Sequence, residues 1–174
     1  MTIPHEFRRK RNRLNRNSYL GPQAYFVTIC ARDRKRLFTN ETLVCILLRT
    51  MMDQFKSHRF AIHAYCFMSD HCHIVISGQS HTSDLAKAVR AFKGAAVNEG
   101  RKSGWRNLRQ RGFYDHIVRS GEDLDTIAAY ISENPVRACL VRDPHKWPFS
   151  GSFVFDWTQC GPAGTYRPLW KESL

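Results

Sequence analysis

The stretch FAIHAYCFMSDHCHIVIS, residues 60–77, predicts a β-hairpin. Aromatic and β-branched side chains are frequent in both halves of the stretch, as they are in β-strands. Ser69 and Asp70 stand between the halves, and both residue types favour tight turns. We therefore expect two antiparallel strands, residues 60–68 and 71–77, joined by a two-residue turn.

The second strand of this hairpin begins with His71-Cys72-His73. Residues i and i+2 of a strand point to the same face and lie about 7 Å apart at their Cα atoms, so the two imidazoles can converge on one cation. Cys72 points to the other face and can join the core. Taken alone, the pair is also consistent with surface or packed histidines.

The two-residue turn fixes the pairing of the two strands. His73 then lies opposite Cys66, and His71 lies opposite Met68. In this register His63 falls on the other face of the sheet and is not a ligand.

The periodicity outside the hairpin predicts further strands at 24–30 and 113–118 and helices at about 40–56, 84–98 and 122–134. Thr82 or Ser83 is expected to cap the second helix, and residues 100–111 are expected to form a loop. The third helix must stop near Asn134, because Pro135 follows. The order β-α-β-β-α-β-α favours an α+β fold, an antiparallel or mixed sheet with helices packed on one face.

Length and composition indicate one domain with arms. The chain has 174 residues, of which 43% are apolar, enough to build a core. No apolar run approaches the roughly 20 residues that span a bilayer, and the first residues do not resemble a secretory signal.

The six cysteines form no C-x-x-C pair, and we expect reduced thiols and a cytoplasmic, nucleoid-associated protein. The predicted division is a basic arm at 1–20, a domain at 21–150 and a C-terminal tail at 151–174 that packs on the domain.

The charge of the chain calls for an anionic partner. The formal net charge is +12, and such basic domains commonly bind nucleic acid. We predict that the N-terminal arm binds phosphates, which gives affinity without sequence preference. A solvated tail is the alternative. The cations of the arm are Arg8, Arg9, Lys10, Arg11, Arg13 and Arg16.

Tyr130 and Asn134 form the second candidate constellation, since residues four apart share one helix face. A phenol is a poor nucleophile at neutral pH, but a divalent cation that polarises a phosphate makes its attack feasible. The amide oxygen of Asn134 suits a hard cation such as Mg²⁺ or Mn²⁺. The alternative for Tyr130 is a core aromatic with its hydroxyl at the rim.

Residues 113–119, FYDHIVR, form the third candidate. Aromatic side chains beside His116 and Arg119 could stack a base and hold a phosphate. An ordinary strand explains the segment equally well. Tyr114 is a competing candidate for the nucleophile.

Four segments taken together resemble a known family: residues 25–28, the histidine pair, residues 113–119, and YISENPVRA at 130–138. In order and spacing they are similar to the single-tyrosine HUH transposases, and most like the REP-associated tyrosine transposases. The similarity extends over about residues 12–150. It implies a ferredoxin-like or palm-like α+β domain with the histidine pair on a central strand of an antiparallel sheet.

The resemblance also implies an activity, the cleavage and rejoining of single-stranded DNA. By analogy His71 and His73 bind Mg²⁺ or Mn²⁺, Asn134 adds a third metal contact, and Tyr130 forms a 5′-phosphotyrosine link. Some relatives have Gln at the position of Asn134, so the shorter side chain reaches less far. We expect no nucleotide cofactor, because transesterification conserves the phosphodiester energy, and no G-x-x-x-x-G-K-[ST] motif is present.

Single-stranded or hairpin DNA is therefore the expected partner of a monomer or a homodimer, and no membrane partner is expected. Two other interpretations remain open: a DNA- or RNA-binding module for structured repeats that does not cleave, and a zinc protein that uses His71, His73 and a cysteine. Further residues expected to contact DNA are Lys87, Arg90, Lys93, Arg101, Arg106, Arg109, His116 and Arg119.

Overall fold

The computed structural model describes residues 15–106, 108, 113–118 and 124–154. The strands in this part of the chain are β1 (Ala24–Cys30), β2 (Phe60–Phe67), β3 (His71–Gly78), β4 (Tyr114–Val118) and β5 (Ser150–Gly151). The α-helices are α1 (Glu41–Ser57), α2 (Leu85–Lys102), α3 (Leu124–Ser132) and α4 (Asn134–Arg137). The strands pair antiparallel in the order β4-β1-β3-β2-β5, so that β3 is the central strand. The predicted α+β fold with an antiparallel sheet is confirmed.

The predicted hairpin is formed by β2 and β3. The backbone N–H of Met68 donates to the carbonyl of His71 at 2.8 Å across the two-residue turn. Cys66 pairs with His73, as the sequence register predicts. The strands therefore place both histidines at the turn end of β3.

A β-bulge makes the predicted sheet face of His63 wrong. The register between β2 and β3 shifts between Ile62 and Ala64, which adds one residue to β2 and breaks the alternation of faces. The His63 Nε2 atom lies 2.7 Å from Ser77 Oγ, on the face that also carries His73. Ser77 is four residues beyond His73, about 13 Å along the strand, so His63 remains outside the histidine pair.

Helices α1 and α2 pack side by side on one face of the sheet. Asn40 caps α1, its side chain accepting a hydrogen bond from the Leu43 N–H at 3.0 Å. The apolar stripe of α1 is buried against the sheet, and Met51 and Phe55 are fully inaccessible to solvent. Cys72 lies in this core, on the face opposite its histidine neighbours, as expected.

The third helix, α3, lies on the opposite face of the sheet, so the helices do not share one face. Its buried residues Ile127, Ala128 and Ile131 pack on Phe26 and Val75 of that face. An apolar sheet surface must be covered, and Phe26, Ala64 and Val75 form an apolar patch on this face. Truncating the fully buried Ile131 to alanine would cost about 2–5 kcal/mol.

The start of α2 differs from the prediction. Asp84, rather than Thr82 or Ser83, caps the helix by accepting from the Lys87 N–H at 3.0 Å. Ser83 instead donates its hydroxyl to the Arg59 carbonyl. The helix also extends to Lys102, into the region predicted as a loop.

Pro135 does not end the helical path. Helix α3 stops at Ser132, and α4 resumes at Asn134 with Pro135 in its first turn. A proline is tolerated there because the first N–H groups of a helix have no partner within the helix. The end of α3 at Ser132 agrees with the predicted stop near Asn134, whereas the separate helix α4, which continues to Arg137, was not predicted.

Both predicted arms meet the body where the structure describes them. Tyr19 is buried in the core, and the Tyr25 hydroxyl donates to the Ser18 carbonyl at 3.0 Å, so residues 15–20 pack on the domain. Beyond β5, the Phe153 ring stacks on Tyr65. Residues 1–14 and 155–174 lie outside the described residues. None of the described helices combines the length and apolar character needed to cross a membrane.

Candidate active site

The histidine pair is closely packed on the central strand. The Nε2 atoms of His71 and His73 lie 3.1 Å apart, and their ring planes are nearly perpendicular at 81°. Both side chains are partly buried. The i and i+2 positions of β3 therefore bring the two imidazoles together, as the sequence predicts.

Each ring is held through its other nitrogen. The Nδ1 atom of His71 lies 2.6 Å from Asp70 Oδ1, and that of His73 lies 2.8 Å from Thr28 Oγ1. Thr28 is the cross-strand partner of His73 on β1. The second oxygen of Asp70 accepts from the Arg34 guanidinium at 3.2 Å. Partners of this kind orient the histidines that bind metals in proteins.

The electrostatic surroundings favour an ionised Asp70 and a neutral His73. Burial opposes ionisation of Asp70, but the hydrogen bond with His71 and the charges of His71 and Arg34 outweigh it, so its pKa lies below the usual value. Burial lowers the pKa of His73 to about 3, and the charges of His71, Arg137 and Arg34 act in the same direction. A neutral imidazole is the form that binds a metal.

The geometry fits a divalent cation. Two nitrogen ligands at about 2.1 Å from one ion, at right angles to each other, are about 3.0 Å apart, and the two Nε2 atoms are separated by 3.1 Å. Among the described residues, no group of three or more His, Cys, Asp or Glu side chains could hold a metal. Mg²⁺ and Mn²⁺ sites on phosphate substrates commonly complete their coordination with phosphate oxygens and water.

Two buried cysteines pair with the histidines across the strands, Cys30 with His71 and Cys66 with His73. The pKa of the second of these thiols, that of Cys66, is strongly perturbed. Burial raises the pKa of its thiol to about 12, against a smaller opposing effect of Arg137. The thiol donates to Met68 Sδ at 3.7 Å. Zinc is bound by thiolate, so this protonated and engaged thiol is a poor third ligand.

Tyr130 is connected to the histidine pair through Phe26. The Phe26 ring stacks on His73 at 5.3 Å between centroids, and the Tyr130 ring meets Phe26 edge-on at 6.4 Å. Tyr130 is partly buried in the last turn of α3. The packing of α3 on this face therefore brings the predicted nucleophile to the same side of the sheet as the predicted metal ligands.

Arg137 joins Tyr130 to Asn134. Its guanidinium carbon lies 4.0 Å from the centroid of the Tyr130 ring, and its Nη2 donates to the Tyr130 carbonyl at 2.6 Å and to Asn134 Oδ1 at 2.9 Å. The Asn134 amide nitrogen donates to the Ile131 carbonyl at 3.2 Å. A carbonyl oxygen has two lone pairs, so Asn134 Oδ1 retains one for a further partner.

Tyr114 and His116 lie on the same sheet face as the histidine pair. Thr28 pairs with His73 on one side and with Tyr114 on the other, and Phe26 pairs with His116. Tyr114 is 44% exposed. The face therefore carries both candidate nucleophiles, and Tyr130 contacts the Phe26 ring that stacks on His73.

The predicted DNA-contacting cations are distributed over several surfaces. Lys87 and Arg90 are exposed and Lys93 is partly buried on α2, whose helix covers the face of the sheet opposite the histidine pair. Arg16, Arg101 and Arg106 are exposed. Their contact with DNA stays a prediction. The remaining predicted residues lie outside the described part of the chain: Arg8, Arg9, Lys10, Arg11, Arg13, Arg109 and Arg119.

Four site residues were not predicted from the sequence: Thr28, Asp70, Phe26 and Arg137. Asp70 and Arg137 stand within four residues of His73 and Asn134 respectively, which was an available signal for them. Thr28 and Phe26 belong to another strand, and only the pairing of β1 with β3 brings them to the site.

Comparison with known proteins agrees with this architecture. The structure is similar to a solved structure of a REP-associated tyrosine transposase bound to a REP hairpin, with a TM-score of 0.67, 24% sequence identity and 82% of each chain covered. The chain is 26% identical over 152 residues to the REP-associated tyrosine transposase of Escherichia coli (strain K12), covering 82% of this chain and 88% of that protein. The family model described as "Transposase IS200 like" matches residues 22–134, and the chain therefore belongs to the IS200-like transposase family.

Proposed function

We propose that the chain is a metal-dependent endonuclease and strand transferase that cuts and rejoins single-stranded DNA through Tyr130. The observation that carries this proposal is the joint position of three groups: two imidazole Nε2 atoms 3.1 Å apart, and a phenol that packs on the Phe26 ring stacked against one of them. A histidine pair alone or a packed tyrosine alone would not support it.

His71 and His73 are the proposed protein ligands of the metal, with Asn134 Oδ1 as a third contact. A bound Mg²⁺ or Mn²⁺ would polarise the scissile phosphate and stabilise the charge that develops on it. Asp70 and Thr28 hold the rings with both Nε2 atoms toward the same point. The low pKa of His73 keeps that ring neutral, as a ligand must be.

The proposed reaction is a transesterification. The phenolic oxygen of Tyr130 attacks phosphorus, and the bond from phosphorus to the 3′-oxygen breaks. The phenolic proton leaves to water, and the departing 3′-oxygen takes a proton from water to become a hydroxyl. Tyr130 is then joined to the 5′-phosphate of the downstream strand, and attack by a second 3′-hydroxyl reverses the step and rejoins DNA.

REP-type hairpins are the proposed substrates. The similar solved structure is described as bound to a REP hairpin, and the similar protein of Escherichia coli carries the name REP-associated tyrosine transposase. The net charge of +12 suits a polyanionic ligand. A hairpin flanked by single-stranded segments offers both a recognised stem and a strand that can enter the site.

The test is covalent capture of the phosphotyrosine. The protein is incubated with Mn²⁺ and REP-type hairpin oligonucleotides labelled at either end, and the products are separated on a denaturing gel. We expect protein-linked DNA only from the 3′-labelled substrate, because the link is to the 5′-phosphate of the downstream piece. Tyr130→Phe should abolish the adduct, and Tyr114→Phe, the matched control, should retain it.

Two results would overturn the assignment. An adduct that persists in Tyr130→Phe and disappears in Tyr114→Phe would move the nucleophile to β4. Tight hairpin binding by the wild-type chain without any adduct at saturating Mn²⁺ would favour the non-cleaving binding module instead.

A further inference from the structure

The loop between β1 and α1 is the most densely charged segment that the structure describes around the site. Residues 32–36 read RDRKR, and all five are exposed. The single carboxylate, Asp33, pairs with Arg32 at 3.4 Å, and Arg34 pairs with Asp70. Lys35 and Arg36 form no ion pair with any other residue in the described part of the chain. We refer to residues 32–36 as the basic loop.

The basic loop is fixed against the turn that precedes the histidine pair. On one side of it the Ala31 N–H donates to the Asp70 carbonyl at 2.7 Å, and on the other the Phe38 N–H donates to the Ser69 carbonyl at 3.0 Å. Arg34 adds its contact with the Asp70 side chain, whose other oxygen holds His71. Three separate contacts therefore hold the basic loop against the turn that precedes His71.

The conformation of the basic loop is costly without a ligand. Asp33 and Arg34 both have left-handed backbone angles, with φ of 55° and 54°. Such angles cost about 1 kcal/mol or more each for residues other than glycine. Four cationic side chains within five residues also repel one another. A bound polyanion would relieve the repulsion and would account for the placement of these charges at the site.

We propose that the basic loop is a binding site for the backbone phosphates of single-stranded DNA next to the bond that is cleaved, with Lys35 and Arg36 as its phosphate-contacting residues. This inference rests on the proposed function for the identity of the ligand. Phosphate contacts of this kind position a strand and do not read its bases, so the site serves any sequence that enters it.

The salt dependence of binding tests the site without cleavage. A short oligothymidylate is titrated with the full chain in EDTA at a series of salt concentrations. Each phosphate contact contributes about 0.7 to the slope of log affinity against log salt for single strands. Lys35→Gln/Arg36→Gln should therefore lower the slope by about 1.4 relative to wild type. Arg34 is left unchanged, because its loss would also disturb Asp70 and His71.

The matched control removes two cations from α1. Arg49→Gln/Lys56→Gln changes the net charge equally, and both residues are exposed on the helix layer that covers the other face of the sheet. This control should keep the wild-type slope. Equal slopes for the loop variant and wild type, or equal losses in the loop and control variants, would overturn the proposal. A reduced slope in a chain that forms no phosphotyrosine adduct would leave the loop site standing while the proposed cleavage fails.

Discussion

The Nε2 atoms of His71 and His73 face each other at 3.1 Å while each ring is anchored through Nδ1. For a neutral His71 ring beside an ionised Asp70, the hydrogen bond between them requires the proton on Nδ1 and leaves a lone pair at Nε2. For neutral rings, His73 Nε2 must then donate to it, and Thr28 Oγ1 donates to His73 Nδ1. A cation held by both Nε2 atoms requires the reverse arrangement at His73, with Nδ1 donating to Thr28. The Thr28 hydroxyl can either donate to His73 Nδ1 or accept from it, so it is compatible with both arrangements.

Thr28 is therefore predicted to support metal affinity. Thr28→Val removes the hydroxyl that fixes the ring and the tautomer of His73, and we expect Mn²⁺ affinity to fall about tenfold or more. Thr28→Ser keeps the hydroxyl and should retain most of the Mn²⁺ affinity. The measurement is the free Mn²⁺ signal in an EPR titration without DNA. Thr50→Val removes a threonine hydroxyl within α1 and serves as the control. Wild-type affinity in Thr28→Val would contradict the role.

Asp70 is predicted to support Mn²⁺ binding by holding His71 in place. Asp70→Asn removes the charge that holds the Nδ1 proton of His71, so we expect a 10- to 100-fold loss of Mn²⁺ affinity. Asp53→Asn, on an exposed position of α1, gives the same change of charge away from the site. An EPR titration of free Mn²⁺ compares the affinities of wild type, Asp70→Asn and Asp53→Asn. The idea fails if Asp70→Asn and Asp53→Asn bind Mn²⁺ equally well.

The low pKa of His73 predicts a specific dependence of stability on pH. Its pKa is lowered from 6.5 to about 3, so the folded chain keeps the ring neutral where the unfolded chain protonates it. Unfolding then takes up a proton, and the free energy of unfolding falls as the pH decreases from about 6.5 toward 3. The slope approaches about 1.4 kcal/mol per pH unit for one group.

Urea unfolding in EDTA at several pH values measures this slope. His73→Gln should flatten the profile between pH 6.5 and about 4.5, above the range in which the lowered pKa of Asp70 contributes. His63 also has a lowered pKa because it is buried, so part of the slope should remain. His81→Gln, at an exposed position, is the control for the loss of a histidine. An unaltered slope in His73→Gln would show that this ring does not titrate as argued.

The sequence predicted the parts of the site that follow from local periodicity. The spacing of His71 and His73 places them on one face because β3 is a regular strand there. Tyr130 and Asn134, predicted to share one helix, lie on α3 and α4 instead, where Arg137 contacts both residues. Their roles in catalysis stay predictions. The elements around the hairpin, apart from α4 and β5, were also predicted, because apolar spacing determines them locally.

The errors arose where the packing between elements, and not the local sequence, determines the position of a residue. The bulge at Ile62 and Ala64 leaves no local mark in the sequence, so His63 was assigned to the wrong face. An amphipathic helix can cover either face of a sheet, and the choice of α3 depends on apolar residues from β1 and β3 that lie far away in sequence. Thr28 and Phe26 were missed for the same reason, since the register of β1 on β3 assigns them to the site.

Arg137 is predicted to accelerate the attack of Tyr130 rather than the binding of DNA. A guanidinium 4.0 Å from the centroid of the phenol ring stabilises negative charge that develops on that ring, and its hydrogen bonds hold the end of α3 to Asn134. Arg137→Gln should slow formation of the phosphotyrosine adduct about tenfold, equivalent to about 1.4 kcal/mol in the barrier. Arg137→Lys should not restore the rate, because an ammonium cannot stack on the ring and keep both hydrogen bonds.

Single-turnover adduct formation at saturating hairpin and Mn²⁺ separates this effect from binding. Arg142→Gln removes an exposed cation five residues further along the chain and should react at the wild-type rate. If Arg137 had only a structural role, Arg137→Gln would have a lower melting temperature. Its rate of adduct formation, measured well below that temperature, would equal the wild-type rate. A rate for Arg137→Gln equal to that of Arg142→Gln would remove Arg137 from the chemistry and leave it as a clamp between α3 and α4.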